Sequence, residues 1–525
     1  MDNVAVTRLN ARYRLPASAA AQKERLDRIL SEAVEGILEA ALERAGVPVQ
    51  EEICIRSVHS VARLRLSSPD STLATAWSLA LAEAIRRCVG RPGADLVHYG
   101  SRHHALVDLV TSVAGGDLRR AWAWRQMGLW TAAEGVGAEA AFEGAMRALA
   151  AEPQAGAAAL GAAVRLGALP RLLARVRWER WQNVTRAALA AVGAPADLSA
   201  IDAAPPIASP AILQNAARIL RRSAIAQAAA ALPAEMLDAA RARALAVLAA
   251  LEVEPASLRR GGPFARALTG AVERGLRGGP PIGVEPAPDR VHLAATAGGD
   301  DPGPALDGPS PGVERGTASS VAISDDTRAG KPLTPARVLA SGTETSGAAA
   351  VETPLPEVRR RATTGTAGLL FLVHIVGEMG LPDEIAGDEH VGDRPLRWVL
   401  HRLALALAPI EPDDPAALAF AGLGPDAEPP SIREEEATEA ELAAVDGLRS
   451  RMVAALRQRL ERPEDPEELP LVQFCRRRAE VVADPGWIEI RLALDEASTE
   501  VRRAGLDLEP GWLPWLGVVM RLVYA

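Results

Sequence analysis

The sequence predicts an α+β chain that is mostly α-helical. Three observations carry this. Apolar residues recur every three or four positions over most of the chain, as in Leu26, Ile29, Leu30, Val34, Ile37, Leu38 and Leu42. Strict alternation of apolar and polar residues is confined to the two ends. Between them lies one long stretch with neither pattern. The expected architecture is an N-terminal β-α-β-α module (1–135), an Ala-rich helical domain (136–277), a disordered Pro/Gly-rich linker (278–353) and a helical C-terminal domain (354–525) closing in a two-stranded β element.

Residues 5–15 alternate, with Ala5, Thr7, Leu9, Ala11, Tyr13 and Leu15 on one side and Arg8, Asn10, Arg12 and Arg14 on the other. That pattern predicts a half-buried strand, ended by Pro16. Ser18 caps the next helix, which runs to about Arg44 and stops at Gly46. Ile53 and Ile55 open a second strand that continues through Val61, Leu64 and Leu66, with a bulge or bend near Ser57 and Val58. Ser68-Pro69-Asp70 starts a helix whose Leu73, Trp77, Leu81, Ile85 and Cys88 share one face. A further helix spans 101–114. Trp122, Trp124 and Trp130 then fall within nine residues. Such rings either anchor a core or form a partner surface, and all three stand as candidate partner-binding residues.

From 137 to 276 the pattern is helical and Ala-rich. Pro170, Pro210, Pro233, Pro255 and Pro263 each precede a run of helical periodicity. Proline at helix starts with short loops between predicts antiparallel helices. From residue 278 the composition shifts to Gly, Pro, Asp, Ser, Thr and Ala, and no Phe, Trp or Tyr occurs between Phe264 and Phe371. Such a segment has too little apolar surface to offset its ordering entropy, hence the expected linker.

The run GTAGLLFLVHIVGEMGL at 365–381 is the most apolar in the chain. It is shorter than the roughly 20 apolar residues a membrane span needs. His374 and Glu378 interrupt it, so it reads as a buried helix in which His374 is a hydrogen-bonded core histidine. A second helix covers 396–407, where His401 has the same reading. Asp413-Asp414-Pro415 starts a third, and an acidic stretch from Glu434 opens a fourth carrying Leu442, Leu448, Met452, Leu456 and Leu460. Ile488, Ile490, Leu492 and Leu494 alternate as a strand, and Leu516, Val518, Met520, Leu522 and Tyr524 form the last one. Trp512 and Trp515 flank Pro514 and complete the candidate partner-binding aromatics. The pattern leaves open whether the two strand-poor ends share one sheet.

The net charge of −9 argues against a nucleic-acid binder, which carries a basic face. Cys54, Cys88 and Cys475 form no CxxC pair and read as buried free thiols. The N-terminus has no apolar signal core, so a cytoplasmic chain is expected. No HExxH, GxxxxGK[ST] or strand-linked GxGxxG occurs, so neither an enzyme nor a cofactor is expected. His104 and Asp108, four apart on a helix, have the spacing of two metal ligands but lack further ones, so a surface or capping role is expected and no metal. The basic runs Arg359–Arg361 and Arg476–Arg478 lie beside acidic residues and read as solvated faces or salt bridges.

Three segments carry a family resemblance. The first is LDRILSEAVEGILEAALERAG with EEICIRSVHSVARLRLSSPDSTLATAWSLALAEAIRRC; the second is TAGLLFLVHIVGEMGL with RPLRWVLHRLALALAPIEPDDPAALAFAGLG; the third is GWIEIRL with LPWLGVVMRLVY. In their order they resemble the tape measure proteins of extracellular contractile injection systems, the phage-tail-like particles related to the antifeeding prophage. That family favours LLHPFL where this chain has FLVHIV, and an Asp-Leu-Gly step where it has Leu66-Ser67-Ser68. The resemblance implies a non-enzymatic structural or assembly protein, incorporated into a particle. It implies inner tube, baseplate or cap proteins as partners, with no nucleic acid and no membrane span. That reading also admits a homo-oligomer. Two others remain beside it: a stand-alone helical scaffold or adaptor, and an enzyme or toxin cargo with its site around His104 and Asp108.

Overall fold

A computed structural model describes residue 6 and residues 9–15, 22–47, 52–90, 95–132, 137–199, 209–278, 359–433, 436–461 and 471–524. The chain is α+β and mostly helical, as expected. From residue 279 on, the predicted linker lies outside the described residues.

The first helix, Lys23–Glu32, passes through one π-helical turn at Ala33–Ile37 into Leu38–Arg44. It packs along helix Asp70–Val89. Leu26 and Ile29 meet Leu73 and Ala74, and Leu38 and Leu42 meet Ala82, so the two helices run parallel. The π turn leaves the Ala33 carbonyl facing the partner helix, and the buried Ser78 hydroxyl donates to it at 3.0 Å. Arg25 ties the helix starts together through Asp70, at 2.8 Å.

The strand predicted at 5–15 does not form among the described residues. Tyr13 and Leu15 instead lie on the helix pair, where the Tyr13 hydroxyl donates to Asp27 at 2.6 Å. The alternation was real, but it found a helical surface rather than a ladder. The second predicted strand is confined to β1, Glu52–Ile55. Val61 beyond it is 89 % exposed. The partner of β1 is β2, Leu96–Tyr99, paired antiparallel with Cys54 opposite Val97. The order is therefore helix, β1, helix, β2, and not β-α-β-α.

The boundary expected at 135/136 runs through a continuous core. Cys54, Tyr99, helix Arg102–Gly115, Trp124 and Trp130 share that core with the helices of the Ala-rich region. At its centre is helix Ala239–Val253, where Leu245 through Ala250 are all 0 % exposed. Helices Pro153–Arg165, Trp178–Ala191, Pro210–Arg222, Ala224–Ala230, Pro255–Arg259 and Gly262–Leu276 pack against it. Alanine on every side of the central helix lets neighbours approach closely. Pro170, Pro210, Pro255 and Pro263 do open helices, and Pro233 precedes a 3₁₀ turn.

A second core is built by the C-terminal residues. The expected two-stranded element is a five-stranded sheet. Its strands are β3 (Arg360–Thr364), β4 (Ala479–Asp484), β5 (Trp487–Leu492), β6 (Gly511–Leu513) and β7 (Val518–Tyr524), in the order β3-β4-β5-β7-β6. Only β5 and β7 pair in parallel. Alternation puts Val481, Ile488, Ile490 and Met520 into the core and Glu480, Arg491 and Arg521 on the other face. This sheet is separate from the β1–β2 ribbon, so the ends share no sheet among the described residues.

The 365–381 run is not one helix. It is a 3₁₀ helix, Ala367–Leu372, then Val373–Glu378, a turn at Gly380, and Leu381–Gly387. The tight turn fits close packing: a Cβ on Gly368 would sit 2.3 Å from the Phe474 carbonyl. His374 is half-buried, not a core residue, and its Nε2–H donates to the Leu508 carbonyl at 2.9 Å. His401, at 0 % exposure, is the core histidine, bonded to the Pro412 carbonyl at 2.7 Å. Helices Leu396–Leu407 and Pro415–Phe420 start where expected, the latter capped by Asp414. Helix Glu439–Arg459 opens on a capping box of Thr438 and Glu441. Arg394 pairs with Glu441, holding its carboxyl down at about 2.

Candidate functional site

The two cores meet along a seam, and the residues with unusual chemistry gather there. Arg359 precedes β3, and Asp484 ends β4. The two form an ion pair at 3.0 Å with both side chains 1 % exposed. Arg359 also donates to the Gly100 carbonyl across the seam. Glycine lets the guanidinium come this close: a Cβ there would lie 2.5 Å from the Arg359 guanidinium carbon. Of the basic run 359–361, the first residue is thus buried and only the next two are exposed.

His103 faces the same corner. It is 6 % exposed, and its ring meets Trp487 edge-on, with centroids 5.3 Å apart. Burial lowers its pKa from 6.5 to about 4, against the opposing pull of the Asp484 charge. A folded-state pKa below the unfolded one means that the unfolded chain binds the proton first. Stability is full above pH 6.5 and falls as pH drops from 6.5 toward 4, by about 3 kcal/mol if the whole shift is expressed. Unfolding followed by tryptophan fluorescence across that window should show this slope. His103→Leu should flatten it; an unchanged slope would assign the effect to other groups.

Between the cores lies a cleft of about 590 Å³, walled by Pro153, Leu251, Trp398, Trp512 and Gly517. Two of its charged pairs are closed: Arg165 with Glu252 at 3.1 Å and Arg360 with Asp426 at 2.9 Å. Glu252 also accepts from the Ser223 hydroxyl at 2.6 Å. Two other charges are treated differently. Glu254 is 5 % exposed and, among the described residues, accepts only from the Leu396 N–H, at 3.3 Å. It thereby caps, from the helical core, the first turn of helix Leu396–Leu407. Burial raises its pKa, opposed by Arg397. Arg397 donates once, to the Leu516 carbonyl at 2.8 Å, and burial lowers its pKa. Among the described residues neither Glu254 nor Arg397 has an ion-pair partner within 4.0 Å.

The candidate aromatics separate into two groups. Trp124 and Trp130 are core side chains, 0 % and 3 % exposed, and Trp122 is half-buried against the same core. Trp124 Nε1–H donates to Tyr99 Oη at 2.9 Å and Asp108 at 3.0 Å. Trp512 is half-buried at the cleft and donates to the Ala191 carbonyl at 2.8 Å, tying β6 to the helical core. Trp515 packs over Gly377 in the second core. The first three therefore form no common surface, and only Trp512 reaches the cleft.

Asp108 is 2 % exposed and its oxygens are taken by Arg120, Tyr99 and Trp124. His104 contacts the Tyr99 ring edge-on at 5.6 Å. The i, i+4 spacing thus serves a buried polar network. Among the described residues no group of three or more His, Cys, Asp or Glu is placed to hold a metal. Cys54 and Cys475 are buried free thiols, raised to about 12 by burial, and Cys88 is half-buried. No single helix among the described residues is long and apolar enough to cross a membrane; Pro153–Arg165 and Leu169–Arg175 are so only together, across a 112° bend.

Arg359, Asp484, Glu254 and Arg397 did not stand out in the sequence. Each lies in an ordinary setting, a basic run, a strand end, or a helix boundary, and gains its character only where the cores meet. No family model, characterised protein or solved structure matches this chain.

Proposed function

We propose that this chain is a non-enzymatic structural and assembly protein of a phage-tail-like contractile injection particle, with a tape-measure-like role. Its partners would be inner tube, baseplate or cap proteins. The observation that carries the reading is the ordered occurrence of three segments similar to that family. Their packing supports it. The first segment supplies the parallel helix pair at the N-terminal end. The second and third pack on each other, with Trp515 against Gly377 and Leu370, Trp398, Ile490 and Met520 in one core. The similar segments are thus framework, which suits a protein whose work is to hold others in place. The charged groups at the seam join the two cores, which also fits a load-transmitting part.

The test is co-purification. With the chain tagged in producing cells, it should travel with sheath and tube on a density gradient, and its deletion should abolish or deform the particles. Normal particles from the deletion strain, with the tagged chain remaining in the soluble pool, would favour a free-standing adaptor instead.

A further inference from the structure

Arg397 is the least explained charge in the molecule. It lines the cleft half-buried, makes one hydrogen bond to a neutral carbonyl, and has an Nε that is shut off from solvent and without a partner among the described residues. An enclosed guanidinium normally sits in an ion pair, because taking a charge out of water costs several kcal/mol. Arg359, 1 % exposed, obeys that rule with Asp484. Arg222, a second cation lining the cleft, adds to the positive field at Arg397. Glu254 opposes it from within the same cleft but makes no contact with it closer than 4.0 Å.

We propose that the cleft between the two cores binds a ligand carrying a single carboxylate and an apolar body, with Arg397 as the anchor for the carboxylate. The cleft lining carries five carboxylates, Glu252, Glu254, Asp426, Glu428 and Asp484, against the arginines at 165, 222, 360 and 397, so a ligand with one negative charge is repelled less than a dianion such as phosphate. The planar guanidinium matches a carboxylate through two parallel hydrogen bonds. The walls suit the rest of the ligand: Trp398, Trp512, Pro153, Pro485, Leu423 and Ile488 are apolar or aromatic. At about 590 Å³ the space is of the size that holds a small molecule or a few residues of a polypeptide end. The carboxylate can come from a free organic acid or from the C-terminus of a polypeptide. This inference does not depend on the particle assignment.

Thermal unfolding of the full chain tests it, with N-acetyl-leucine as the acid, N-acetyl-leucinamide as its uncharged counterpart, and inorganic phosphate. The acid at saturation should raise Tm by about 2–4 °C, and the amide and phosphate should not. Acetyl-Ala-Leu-Leu as free acid distinguishes the sources. Binding at least about tenfold tighter than N-acetyl-leucine points to a polypeptide end, and equal binding to a small acid. Arg397→Met should lose the response to the acid, and a cooperative transition in the unliganded variant shows that it still folds. Arg397→Lys keeps the charge without the planar fork and should weaken the response. The proposal fails if the acid gives no shift, if the amide matches it, or if the response survives in Arg397→Met.

Discussion

Asp484→Ala should lower the stability of the chain by about 3–5 kcal/mol, because it strands the Arg359 guanidinium at 1 % exposure. The size follows from burial. An exposed pair such as Arg360–Asp426 would cost well under about 1 kcal/mol to break. Here the charge left behind has no water to turn to, and one of its amino groups is held by the Gly100 carbonyl. Arg359→Met should cost a similar amount by stranding Asp484. The paired replacement, Arg359→Met with Asp484→Leu, should cost less than either single change, since no buried charge remains. Urea unfolding of the four chains gives the cycle. If the two single losses simply add in the double variant, the pair is not coupled and the seam is held by other contacts.

Asp108→Ala should be of the same size, about 3–5 kcal/mol, for a related reason in a different place. One carboxylate accepts from Arg120 at 2.7 and 2.9 Å, from the Tyr99 hydroxyl at 2.6 Å and from Trp124 Nε1 at 3.0 Å. Removing it leaves a buried guanidinium and weakens the polar anchoring of a tryptophan that is 0 % exposed. The Tyr99 hydroxyl, whose pKa the adjacent carboxylate helps to push up, loses its acceptor as well. The network joins β2, helix Arg102–Gly115 and helix Ala121–Gln126, so the loss should appear as global unfolding at lower urea. Ser112→Ala, which removes a 3.2 Å donation to the same carboxylate and a 2.8 Å acceptance from Arg120 but strands no charge, should cost less, about 1–2 kcal/mol. Equal losses for the two variants would show that the carboxylate is not the hub.

The helices were largely legible because their signals are local. Leu396–Leu407, the Asp414 cap and the proline starts follow from a few neighbouring residues. The sheet was not, because its signals are distant. Arg360–Thr364 reads as polar coil until Ala479–Thr364 pairing places it beside β4. β6 is three residues long and exists only as a neighbour of β7. The same holds for chemistry. Spacing brought His104 and Asp108 to notice, but the structure uses Asp108 for Arg120, which lies twelve residues away. Trp124 and Trp512 look alike in sequence, and only packing makes one a core residue and the other a tie across the cleft. Arg359 and Asp484 are 125 residues apart, beyond any periodicity.

The most direct test of the tape-measure-like role is tube length. Removing about half of Val284–Ala350 takes away no residue of either core or of the seam. Electron microscopy of the resulting particles should show shorter tubes with a narrow length distribution. Tubes of unchanged length from normally assembled particles would contradict the role.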